Sequence, residues 1–244
     1  MFVSIRLLFV SVLLSSFALA QEDFKVGPQT VKSRDGSEIA VEYGTVEVPE
    51  NRSDPDTRTI TLAYMHVKSP LKTKGTPVFP LAGGPGGDSI GMVMNALVGG
   101  GQQYLQWMGG DIVAIDQRGT GRSEPDMEAV VDFKTPLDEP CDPAKSLARQ
   151  KRIYREEAKK WKAKGIDLRG YTTVESADDI NVIRQKLGFE KISLWGGSYG
   201  SHLALATIRR HGEHIDRAVL IGPEGPNHTV KLPSYSQVGL ERIA

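Results

Sequence analysis

The sequence predicts an α/β fold, a mostly parallel sheet with an antiparallel hairpin at its N-terminal side. Three observations predict it. Four apolar runs of strand length, at 77–81, 111–116, 191–195 and 216–221, alternate with helix-length stretches, which is the pattern of parallel strands joined by right-handed crossovers. Glycine-rich turns follow two of those runs. Upstream, segments 38–48 and 58–67 alternate apolar and polar residues with a period of two, as a half-buried antiparallel pair does.

Taken in order, residues 1–20 stand apart from the fold. Arg6 gives a positive start, 7–14 is mostly apolar, and Ala18-Leu19-Ala20 is a small-x-small cleavage site. This is the pattern of a secretory signal peptide cut at about Ala20, so the chain is expected to be exported, to a periplasm or the extracellular space. The apolar run is well short of the roughly 20 residues that span a bilayer, so no stable membrane anchor is expected. Residues 21–75 form the hairpin region, its strands joined by the turn-rich Pro49-Glu50-Asn51-Arg52-Ser53-Asp54-Pro55-Asp56. Residues 76–222 form the core: strand 77–81, a helix to about 108, strand 111–116, helices 144–164 and 174–187, strand 191–195, helix 199–210 and strand 216–221. The charge-rich 144–164 stretch reads as a solvated helix face.

A length of 244 residues suits one α/β domain of the larger kind. Lys and Arg number 30 and Asp and Glu 30, so no net field favours nucleic acid. The single cysteine, Cys141, lies in Glu139-Pro140-Cys141-Asp142-Pro143 with no thiolate-activating neighbour; its pairing is left open.

The chemistry concentrates at the third apolar run, which leads straight into Gly196-Gly197-Ser198-Tyr199-Gly200. A serine with glycine at both second neighbours can occupy a strained strand-to-helix turn, because glycine brings no Cβ to collide with the backbone. Ser198 is the candidate nucleophile. Acyl transfer also needs donors for the developing oxyanion. The segment Ala82-Gly83-Gly84-Pro85-Gly86-Gly87, at the end of the 77–81 run, lets backbone amides approach the site; an amide near Gly84 and that of Tyr199 are the candidate oxyanion pair. The same glycines also fit a plain tight turn. They lack the Lys-Ser/Thr of a phosphate loop and the glycine spacing of a dinucleotide fingerprint, so no cofactor is expected and no metal site is read.

With Asp116-Gln117-Arg118-Gly119-Thr120-Gly121-Arg122-Ser123, these motifs resemble the proline iminopeptidase and tripeptidyl aminopeptidase group of α/β-hydrolases, over a span from about residue 40 to the end. Ala82 departs from the histidine that intracellular iminopeptidases often carry there. The resemblance implies an α/β-hydrolase fold and a metal-free serine peptidase that removes residues from peptide N-termini, with esterases among its relatives. In the Asp116–Ser123 stretch the glycines and Arg118 are expected to brace a loop beside the site, and Asp116, which precedes the nucleophile, is not expected to be the triad acid.

In this fold acid and histidine follow the serine. His202 falls one turn after Ser198 on the helix behind it, His211 and His214 lie at that helix's end, and His228 falls where the family begins its lid, at 223–244. None follows a last strand. The expectation is an N-terminal part of a longer enzyme, cut before the last strands, with acid and base beyond residue 244. Glu224 is a weak candidate, as acid or beside a substrate's amino group. The expected function is an exported aminopeptidase-like serine hydrolase acting on a peptide, with a carboxylesterase on small esters or an inactive truncated chain as alternatives. Nothing in the sequence addresses the oligomeric state.

Overall fold

The computed structural model describes residues 25–72, 74–128 and 142–225. The leader at 1–20, Cys141, His228 and nearly all of the lid segment fall outside the described residues. Three antiparallel strands come first: β1 (Gly27–Lys32), β2 (Glu38–Pro49) and β3 (Thr59–Val67). In β2 the alternation works as expected: Ile39, Val41 and Tyr43 are buried while Ala40 and Glu42 face solvent. β3 is buried on both faces, with Leu62 and Tyr64 pointing one way and Ala63, Met65 and Val67 the other. β1 was not foreseen; only Val31 of its six residues is buried, so its apolar signal is that of an edge.

The remaining elements are β4 (Val78–Leu81), α1 (Ser89–Met108), β5 (Ile112–Ile115), α2 (Pro143–Ala163), α3 (Thr173–Lys186), β6 (Ile192–Gly197), α4 (Tyr199–His211) and β7 (Ile215–Ile221). One seven-stranded sheet runs β1-β2-β3-β5-β4-β6-β7. β3 meets β5 antiparallel, and β5, β4, β6 and β7 are mutually parallel. From β4 the chain moves one way to β5 and later the other way to β6 and β7. The carboxyl ends of β4 and β6 therefore flank a topological switch point, where open α/β sheets bind their ligands.

Both faces are covered along the central strands, while β7 at the edge is exposed over most of its length. Ile90, Val93, Leu97 and Leu105 of α1 pack with Met65, Ile112 and Ala114. On the opposite face Ile180, Ile183, Leu203 and Ala204 of α3 and α4 close over Leu62, Phe79, Val113, Ile115 and Leu194. Each such large apolar side chain contributes roughly 1.5–3 kcal/mol on burial. Among the described residues no helix is long and apolar enough to cross a membrane.

A buried ionic network joins the loops behind the switch point. The Arg118 guanidinium, its side chain 1% exposed, donates to both Asp179 carboxylate oxygens at 2.7 Å and to the Glu50 and Gly170 carbonyls at 2.6 Å. Arg52 reaches Asp179 and Glu175. Glu50 accepts from Arg58 at 2.7 and 2.9 Å and from the Tyr171 hydroxyl at 2.8 Å. The β2–β3 turn, the loop after β5, the 168–170 turn and α3 are thus one unit. Removing one partner of a buried pair strands the other charge. Arg118→Met is expected to lower unfolding free energy by about 3–5 kcal/mol in urea titrations.

Burial alone would raise the carboxyls of Glu50, Asp111 and Asp178. Hydrogen bonds from Arg58 and Tyr171, from the Ser69 amide and His66, and from Arg210 and His211 outweigh it and hold all three below their ordinary values. A depressed folded value contributes stability above the unfolded value, and that stability is lost as pH falls through the folded one. The melting temperature is therefore expected to hold from neutral pH down to about 4–5 and to drop below about 4, followed by circular dichroism.

Candidate active site

Strand β6 ends at Gly197 and α4 begins at Tyr199, so the whole reversal falls on Ser198. Its backbone has φ 53° and ψ −126°, and it is the one non-glycine residue with positive φ among the described residues. Such a conformation costs of order 1–3 kcal/mol and persists only where its surroundings over-determine it. Here they do. The Ser198 amide donates to the Ile221 carbonyl at 2.9 Å, and its own carbonyl accepts from the Ser201 amide at 2.8 Å and the Ser201 hydroxyl at 2.6 Å. A Cβ on Gly196 would fall on the Gly200 carbonyl, and one on Gly200 on the Leu81 carbonyl. Those two glycines let strand, turn and helix close on one another.

The Ser198 hydroxyl is exposed and donates to Glu224 Oε1 at 3.0 Å. Glu224 reaches it from the loop after β7, and the buried Ser201 fixes that loop too, its hydroxyl accepting from the Glu224 amide at 2.8 Å. One small side chain therefore holds both the carbonyl of the elbow serine and the backbone of the facing glutamate. Tyr199 lies across the mouth of α4, its hydroxyl 3.0 Å from Thr173 Oγ1 and its ring stacked on His202 at 5.8 Å.

The glycine-rich loop after β4 comes to the same place. A Cβ on Gly83 would lie 3.4 Å from Ser198 Cβ, 3.8 Å from the Tyr199 nitrogen and 2.9 Å from the Gly197 carbonyl oxygen. Gly83 is thus the loop residue packed on the elbow, and Gly84, with φ 118°, is the next one out. The Gly87 amide donates to the Gly83 carbonyl at 3.1 Å, closing the loop on itself. The Tyr199 amide belongs to the first turn of α4, whose N–H groups have no partner within the helix and sit at its positive end. The Ser198 hydroxyl thus stands at the N-terminus of α4, beside the loop after β4.

Ser198, Tyr199, Glu224 and the Gly83-Gly84 pair are brought together. The described histidines are placed elsewhere. His202 Nδ1 lies 3.3 Å from the Gly225 carbonyl, His211 Nε2 2.8 Å from Asp178, His66 Nε2 2.9 Å from Asp111, and His214 beside Glu213. None of these four hydrogen-bonds Ser198. Among the described residues no group of three His, Cys, Asp or Glu side chains is placed to hold a metal. Sequence reasoning missed Ser201, although a small hydroxyl residue three places after the elbow serine, in the first turn of a helix, is a readable sign of a brace.

Residues 77–239 match the model of the alpha/beta hydrolase fold family. The chain is 27% identical over 196 residues to the tripeptidyl aminopeptidase of Streptomyces coelicolor and 27% identical over 200 residues to that of Streptomyces lividans. Each match covers 77% of this chain and 36% of the relative, so the chain spans little more than a third of the curated relatives it matches. Among solved structures, a proline iminopeptidase-related protein of Thermus thermophilus aligns at 25% identity with a TM-score of 0.42, over 75% of this chain and 45% of that one. A probable hydrolytic enzyme of Pseudomonas aeruginosa aligns at 16% identity with a TM-score of 0.46, over 74% and 41%.

Because α4 touches β4 through a bare Cα, Gly200→Ala must push the two apart. The variant is expected to lose about 1–3 kcal/mol of stability, the usual cost of forcing a methyl into a packed contact, in urea unfolding. It is also expected to lose reactivity at Ser198.

Proposed function

Given that this chain belongs to the alpha/beta hydrolase fold family, we propose that it carries the nucleophile half of an exported serine hydrolase that removes residues from peptide N-termini. The observation that carries the reading is Ser198 itself: a strained residue with an exposed hydroxyl, packed against Gly83 and heading a helix. In this reading the Ser198 oxygen attacks the scissile carbonyl and its proton passes to a base outside the described residues. The carbonyl oxygen becomes an anion held by amides at Gly83-Gly84 and Tyr199. Collapse expels the amine of the downstream peptide and leaves an ester on Ser198, which water then hydrolyses.

Two observations favour a peptide N-terminus over a neutral ester. Glu224 sets a carboxyl group beside the nucleophile, which suits a substrate bearing an ammonium. The Streptomyces relatives are named tripeptidyl aminopeptidases. Export through the 1–20 segment belongs to the same proposal.

A fluorophosphonate probe is expected to label the protein at Ser198, and Ser198→Ala to abolish labelling. Labelling that persists in the variant, or is absent from both proteins, overturns the nucleophile. Matched aminoacyl amides and neutral esters then separate the substrate classes: Glu224→Gln is expected to raise KM for the former, and to leave KM unchanged and raise kcat for the latter, because the carboxylate's charge no longer opposes the oxyanion.

A further inference from the structure

Asp116 directly follows β5. Its side chain is fully buried. One carboxyl oxygen, Oδ1, accepts from the Ile90 amide at 2.9 Å, in the first turn of α1. The other, Oδ2, accepts from the Arg122 amide at 2.9 Å and lies 3.6 Å from that residue's guanidinium. Arg122 reaches on to Asp88, the residue before α1, at 3.3 Å. Gly121 makes room: with φ 57°, a Cβ there would fall on Asp116 Oδ2. The backbone of Asp116 is fixed as well, its amide donating to Ala63 at 3.1 Å and its carbonyl accepting from the Ser123 hydroxyl at 2.5 Å.

These contacts define what the loop at 83–87 hangs from. Upstream it leaves β4 inside the sheet. Downstream it runs into the start of α1, where Asp88 makes no side-chain cap of its own. The Ala82 amide bonds the Ser89 hydroxyl at 3.1 Å, so the two ends of the loop are linked. Asp116 is the side chain that fastens the start of α1 to the β5 strand end.

We infer that Asp116 is a positioning residue: by tying the first turn of α1 to the 119–123 turn it sets where the Gly83-Gly84 amides stand relative to Ser198. This rests on the reading that those amides receive the oxyanion. The arrangement needs two acceptors, because both carboxyl oxygens face N–H groups; an asparagine of equal size turns one acceptor into a donor facing another donor. The charged and titratable groups around the carboxyl are Arg122 from the same loop, Asp88 from the α1 side and Tyr43 from β2. Burial and the nearby Asp88 favour its neutral form, while the two amides and Arg122 favour the carboxylate. Protonation in mild acid therefore loosens the same tie.

Two measurements test this, one of them independent of catalysis. In Asp116→Asn, amide hydrogen exchange is expected to quicken through 83–90 while the β2–β3 pairing keeps its protection. In the wild-type protein, the Ile90 and Arg122 amide resonances are expected to shift together on acid titration, with one midpoint; this arm needs no variant to fold. Exchange that is unchanged, or that quickens evenly across the sheet, together with amide resonances that titrate separately or not at all, overturns the tie. The second measurement is the rate of Ser198 labelling by the fluorophosphonate. It is expected to fall roughly 10–100-fold in Asp116→Asn, as for displacement of an aligned catalytic group, with the concentration for half-maximal rate unchanged and Asp116→Glu recovering part of the loss. A change in half-maximal concentration with no change in maximal rate overturns the positioning role. If the wild type is not labelled while the exchange and titration results hold, the serine hydrolase reading fails and the tie stands.

Discussion

Helix α4 and strand β4 approach so closely that only a residue without a side chain fits between them. The Cα of Gly200 sits against the Leu81 carbonyl, and Gly196 sits against the Gly200 carbonyl. From that contact follow the sharpness of the turn at Ser198, the register that puts Leu81 beside Gly196, and the meeting of the loop after β4 with the first turn of α4. Had the helix stood off by the width of a methyl group, the loop after β4 would not reach the first turn of α4. Backbone strain at a functional position is sustained by its surroundings; here these are the Ser201 hydroxyl, the Ile221 carbonyl and the β4–β6 ladder.

The ionic network around Arg118 does related work on the other side of the same loops. A buried salt bridge is a weak source of net stability, because desolvation consumes most of the Coulombic gain. What it does supply is geometry: the Arg118 fork fixes Asp179, Glu50 and Gly170 in directions that apolar packing would leave loose. Asp179 belongs to α3, and α3 begins with Thr173, which meets the Tyr199 hydroxyl. The chain of contacts thus runs from the hairpin turn to the residue after the nucleophile, so the turn-rich 49–56 segment is part of the frame that supports the site.

Most of the frame was legible in the sequence because its signals are local. Apolar runs bounded by glycine gave β4, β5, β6 and β7 to within a few residues, and alternation gave β2 and β3. Ser198 was legible because the elbow needs glycine at fixed spacing. What escaped depended on contacts between distant segments. β1 is an edge with one buried side chain, and nothing in Gly27–Lys32 distinguishes it from a loop until β2 pairs with it. Arg118 was expected to brace a loop, yet no pattern names Glu50, 68 residues away, as the carbonyl it holds. Ser201 and Asp116 share that difficulty: each acts by joining two backbones whose proximity is a tertiary fact. Glu224 stood in the sequence as a weak candidate because its loop follows β7 by three residues, and only the β6–β7 pairing carries it to Ser198.

Glu224 also limits which chemistry the site favours. Its charge opposes the anion that forms when Ser198 attacks. Two unit charges about 4 Å apart interact by about 4 kcal/mol at an effective dielectric constant of 20. With a neutral ester that repulsion stands against the transition state. With a substrate whose ammonium is on the residue that carries the scissile carbonyl, the cation can lie between the two groups, and the same carboxylate attracts it and shields the oxyanion. On the proposed aminopeptidase reading, the cation that offsets the Glu224 charge beside Ser198 arrives with the substrate.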